Sequence, residues 1–183
     1  MESRDKFVTS YVAHHWAASK GGLDLFERAS RSQSSARTRK VLATLTREIA
    51  EDRARLRVMA DALGVGEARL AQLALSVGET VSRVKLNGRF VRRSPLSDVL
   101  ELEALLAAVR GKRAGWEGMR VLAINDARID VAELDDLIVR ADSQIERLVA
   151  AHAARHRDGV AGVDALRVGD LRVGGNQRLQ RHA

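Results

Sequence analysis

The chain has no cysteine, which removes disulfides, thiolate nucleophiles and thiolate metal ligands. A single proline and 3% aromatic residues argue against a turn-rich β-sandwich and against a surface built to stack bases. No run approaches the ~18 consecutive apolar residues of a membrane span. The opening Met1–Lys6 stretch is charged and precedes no apolar core of a signal peptide. The expectation is a soluble, cytoplasmic protein with no membrane partner.

What is present is enough for one folded domain. The 183 residues are 45% hydrophobic and 30% charged, too apolar for a wholly disordered chain. The net charge of +7 invites an acidic partner, since basic proteins bind phosphate polymers nonspecifically. Its make-up weakens that reading. Of 31 basic residues 26 are Arg and 5 are Lys, a skew that GC-rich coding produces without selection for a ligand.

Hydrophobic spacing is helical almost throughout. Over roughly 5–30, Val8, Tyr11, His15, Ala18, Gly22 and Leu25 recur at steps of three and four. Over 36–63, Leu42, Leu45, Ile49, Asp52, Leu56, Met59 and Leu63 form an unbroken heptad seam, closed by a capping Gly64. A connecting helix is expected over 67–86, with Leu70, Leu73, Val77, Val81 and Val84, stopping at Asn87-Gly88. Ser94-Pro95 opens the next long helix, which presents Val99, Leu102, Leu106, Val109 and Trp116 and runs to about Ala123. Asp130 and Glu133 form a capping-box-like start to the last. Its stripe is Leu134, Leu137, Ala141, Ile145 and Leu148, ending near Arg155. The expectation is an all-α fold: a four-helix bundle over 1–157, with a helical crossover between the second and third long helices. Residues 158–183, broken by Gly159, Gly162, Gly169, Gly174 and Gly175, read as a flexible or short-helical tail.

Two polar residues interrupt apolar seams, His15 and Asp52. A hairpin turning near Gln33 places His15 opposite residue 51, at the level of Asp52, and the crossover brings Arg110 or Arg113 to the same level. Gln144 then faces Arg110 across a turn near Ala127. Two readings stand. One is a metal or acid–base site of His15 and Asp52 with Glu51. The other is a charge-satisfied polar layer that fixes helix register, favoured because an arginine nearby repels a metal ion.

The order and lengths of these helices, over roughly 5–155, resemble ferritin-like proteins. Working members hold two irons with carboxylates on two helices and Glu-x-x-His on the other two. This chain departs from that pattern. No histidine has an acid three positions before it: Tyr11, Val12, Val149 and Ala153 precede His14, His15, His152 and His156. The nearest second-helix match, Glu48-Ile-Ala-Glu51, runs on into Arg53 and Arg55, and the last helix offers Asp142-Ser-Gln-Ile145. No di-iron cofactor is expected. Lys85–Arg89 and Arg93–Ser97, followed by Glu101-Leu-Glu103, resemble a phrase shared by proteins of high-GC Gram-positive bacteria.

Arg83, Lys85, Arg89, Arg92 and Arg93 crowd one link around Phe90 with no acid among them. Without a reading head, this reads as a solvated connection more than a phosphate contact. Gly111, Gly115 and Gly118 are read as allowing close helix packing around Trp116. No strand precedes Gly111-Lys112 and no nucleophile elbow occurs, so a phosphate loop and a hydrolase triad lack support. The tail segment Leu166-Arg-Val168-Gly169-Asp170-Leu171-Arg172 resembles the C-terminal cargo-loading peptide of encapsulin systems. That resemblance implies docking of Leu166, Val168, Gly169, Leu171 and Arg172 on a shell protein, inside a protein nanocompartment. Asp170 departs from the small serine usual there. The functional expectation is association rather than catalysis, with self-association compatible. A degenerate metal-binding protein or oxidase and a basic nucleic-acid module are the alternatives.

Overall fold

A computed structural model describes residues 2–71, 73 and 94–179, with side chains described as far as Ala161 apart from Pro95. The fold is all-α, and no strand occurs among the described residues. Its long helices are α1 (Glu2–Ser32), α2 (Ala36–Ala62), α3 (Pro95–Ala123) and α4 (Val131–Leu179).

The helix ends follow local chemistry. Ser35 caps α2 by accepting from the Thr38 N–H at 3.3 Å, and Ser94 caps α3 by accepting from the Ser97 N–H at 3.2 Å. Gly64 ends α2 at φ +73°. The Val65 N–H donates to the Ala60 carbonyl (3.0 Å) and the Gly64 N–H to that of Asp61 (2.9 Å), the paired bonds of a Schellman cap. Asp130 opens α4 by accepting from the Ala132 N–H at 2.8 Å.

α1 packs on α2 and α3, and α4 packs on α3 and α2, closing a ring of four helices. Cross-helix contacts fix their directions. α1 runs antiparallel to α3, with Arg4 bonded to the Leu122 carbonyl near one end and Gln33 to the Asp98 carbonyl at the other. α2 runs antiparallel to α4, with Arg55 paired to Glu133 and Glu48 to Arg147. α1 and α2 form an antiparallel hairpin about the turn at 33–35, with Arg53 reaching back to the Trp16 carbonyl, so α2 and α3, both antiparallel to α1, are parallel. The expected helix over 67–86 is helical at 67–71, and Leu70 is buried. Most of the rest of it, with Val77, Val81, Val84 and the basic cluster Arg83–Arg93, lies outside the described residues.

Every member of the α2 seam from Leu42 to Leu63 is buried. The α1 stripe differs from expectation: Val8, Thr9, Val12, Ala13, Ala17, Phe26 and Ala29 are buried, while Tyr11, His15 and Gly22 sit half-buried and Ala18 is exposed. Small residues weigh little in a hydrophobic pattern, so the helix rotates to bury Phe26 and Val12 and leaves Ala18 and Gly22 on its flank.

The interior is split in two. One apolar cluster gathers Val12, Leu56, Met59, Trp116, Met119 and Leu137, the other Phe26, Leu45, Ile49, Leu102, Leu105 and Leu148. Asp52, Lys112 and Gln144 fall between them in all three helices that carry them.

The helix α4 departs from expectation by continuing to Leu179, well past Arg155. Glycine costs a helix about 1 kcal/mol relative to alanine but blocks no backbone hydrogen bond, so its glycines weaken this stretch without ending it.

Candidate functional site

The layer between the apolar clusters is built from α2, α3 and α4. The Asp52 carboxylate, 1% exposed, accepts from the Lys112 ammonium and, at 3.2 Å, from the Gln144 amide. Arg140 Nε lies 2.9 Å from Asp52 Oδ1, a charge contact too bent for a hydrogen bond, so those two buried atoms have no bonded partner. Gln144, fully buried, accepts from Lys112 and donates to Glu48 at 3.2 Å. Arg147 grips Glu48 with two parallel bonds of 2.7 and 2.6 Å, and Arg140 binds Glu51 and the Glu48 carbonyl. Three carboxylates thus face three cations, and the layer is neutral as a unit.

The titration tendencies follow from this geometry. Burial pulls the Lys112 ammonium below the ordinary lysine range, with Asp52 pulling it back. The Arg147 bonds hold the Glu48 carboxyl below its usual value against a smaller opposing effect of burial. Burial opposes the Arg140 charge, yet Glu51, Asp52 and Glu48 outweigh it and raise its affinity for the proton.

A cavity of about 340 Å³ lies against this layer, between α1, α2 and α3. It exists because the helices offer little bulk there: Ala18 and Gly22 on α1, Ala108 and Gly111 on α3. A Cβ on Gly22 or Gly111 meets nothing within 4 Å. Asp52 and Lys112 contribute the charged part of the wall, Trp116 and Met119 the apolar part.

His15 lines the same cavity without joining the layer. No hydrogen bond or ion pair links it to Asp52 among the described residues. Its ring lies against Gly115, whose missing Cβ would stand 2.7 Å from the imidazole, and 4.6 Å from the Tyr11 ring. Burial, then the charge of His14, lowers its proton affinity. The residue of α2 that does reach α1 at this level is Arg53, bonded to the Trp16 carbonyl and Ser19 hydroxyl and stacked 4.1 Å over the Trp16 ring.

The expected layer of His15, Asp52 and Arg110 or Arg113 is therefore corrected in its membership. Asp52 and Gln144 are in it; Glu51 stands at its exposed edge. Arg110 points to solvent, and Arg113 pairs with Asp142 and Glu117. Lys112 takes their place because it shares the α3 stripe with Val109 and Trp116, at steps of three and four. Gly115 and Gly118 do permit close packing, by making room for His15 and Tyr11 of α1. Leu166, Val168, Gly169, Leu171 and Arg172 fall in the last turns of α4, and their side chains lie outside the described residues.

Two further features escaped the sequence reading. At the far end, Asp98 is fully buried and bonded to Arg155 (2.8 Å) and to the Ser34 N–H (3.1 Å), closing the α1–α2 turn against α3 and α4. On the outer face of α3 and α4, Glu103, His152 and His156 converge; the one sequence signal was the spacing of four between the histidines. No helix among the described residues is long and apolar enough to cross a membrane. Comparison with protein-family models, with curated proteins and with solved structures finds no match.

Proposed function

We propose that the chain is a non-catalytic, ferritin-like four-helix-bundle protein that works by association, with the end of α4 docking on an encapsulin shell protein. The observation that carries the non-catalytic part is the Lys112 ammonium on the Asp52 carboxylate. A cation occupies the position from which a carboxylate ligand would address a metal, and an adjacent positive charge disfavours a second one. The parallel run of α2 and α3 suits the single long crossover of ferritin-like connectivity.

The association part rests on the tail sequence and on the length of α4. The bundle ends where Arg155 meets Asp98 and Ser34, and α4 carries about seven further turns to Leu179. Docking as an extended peptide requires the helix to unwind around Gly169, at low cost because glycine is a poor helix former. Leu166, Val168 and Leu171 then address pockets on the shell, and self-association of the body multiplies weak single contacts into retention.

The test is co-expression of an encapsulin shell protein with the full chain and with a chain ending at Asp164. The full chain is expected to co-purify with the shell and the shortened chain to be lost from it. Equal behaviour of the two contradicts the docking role. Ferrous oxidation that is rapid in the full chain and absent in His15→Ala instead supports the degenerate oxidase with His15, Glu51 and Asp52.

A further inference from the structure

The antiparallel register of α3 and α4 sets Arg113 beside Asp142 and Arg120 beside Asp135. The same register carries Glu103 to His152, whose Nε2 lies 3.1 Å from Glu103 Oε1. His156 follows one helical turn later on the same face, its ring 4.6 Å from that of His152 and at 80° to it. One ligand atom from each of the three residues can be chosen so that all lie within 4.8 Å of one another.

We propose that Glu103, His152 and His156 form a surface site for a borderline divalent transition-metal ion, zinc foremost, that clamps α3 to α4. Two imidazoles and one carboxylate are the ligand set that such ions take without thiolate, whereas magnesium and calcium prefer all-oxygen sites. Ligand bonds of ~2.0–2.2 Å around a tetrahedral ion place donor atoms ~3.3 Å apart. Glu103 and His156 are exposed and His152 is half-buried, so side-chain rotation alone closes the gap. Arg155, the chain neighbour of His156 on its inward side, is buried and paired with Asp98 at 2.8 Å and Asp158 at 3.0 Å. Three protein ligands leave a coordination position open to solvent. The site is separate from the Asp52 layer, and its fate is independent of the docking role of the tail.

The experiment is calorimetric titration of zinc chloride into the untagged full chain, with cobalt(II) visible absorption as the spectroscopic readout. Binding of one ion per chain is expected, with cobalt bands that zinc displaces. His152→Ala and His156→Ala are each expected to weaken zinc by about tenfold or more, since even residues that only orient a ligand cost 10–100-fold. Glu103→Gln weakens it less. His14→Ala and His15→Ala leave it unchanged. Because His156 is exposed, His156→Ala keeps the helical circular dichroism of the parent, so loss of binding there reports the ligand itself. No saturable binding at ~0.1 mM zinc, an affinity no better than adventitious, overturns the proposal. So does binding that survives both histidine substitutions.

Discussion

Lys112 and Asp52 meet in the middle of the helical body, one from α3 and one from α2, with Gln144 of α4 touching both. Removing one charge strands the other in a low-dielectric interior. Asp52→Ala is expected to cost about 3–5 kcal/mol, whereas replacing a buried pair together by apolar residues of similar volume is often neutral or better. Asp52→Leu with Lys112→Met is therefore expected to be more stable than Asp52→Ala alone. Urea unfolding of both variants and the parent measures the difference, and equal losses contradict the pairing.

Two glycines four residues apart on α3 separate space from contact. Gly111→Ala adds a methyl where nothing lies within 4 Å, so helix propensity alone acts and stability rises by about 1 kcal/mol. Gly115→Ala sets its Cβ 2.7 Å from the His15 ring, and overpacking of this kind costs about 1–3 kcal/mol. Adding His15→Ala to Gly115→Ala should recover the helix-propensity gain, a coupling that a double-mutant cycle reads directly.

The pH dependence has two limbs. The His15 imidazole is held below its ordinary value of 6.5 in the folded chain, first by burial. The unfolded chain therefore takes up that proton first, and stability is lost as pH falls below 6.5 until the folded value is passed. His15→Gln is expected to flatten this limb. The Glu48 carboxyl is held below 4.5, chiefly by Arg147. Its contribution is present above 4.5 and is lost as pH falls through the folded value, so Glu48→Gln shrinks the acid limb, leaving the part that Asp126 contributes through Arg128. Stability curves against pH for the three chains check both signs.

The α2 seam was fully legible because its buried positions are large aliphatic side chains at regular steps, with Asp52 conspicuous among them. The caps at Ser94 and Gly64 were legible because hydroxyl and glycine answer specific backbone needs. The α1 face was not, since Ala18 and Gly22 carry too little apolar surface to fix its rotation. Nor was the choice of Lys112 over Arg110 and Arg113, because adjacent cations on a helix differ by about 100° in direction and only packing selects one. Glu103 had no signal of its own: its meeting with His152 depends on the register of two helices.

The most direct measurement fuses residues 158–183 to an unrelated fluorescent reporter and expresses it with an encapsulin shell protein, beside the same fusion carrying Leu171→Asp. Retention of the first reporter in purified shells and loss of the second is the predicted result, because an apolar pocket accepts a leucine and penalises an aspartate. Equal retention of both, or exclusion of both, contradicts docking through the end of α4.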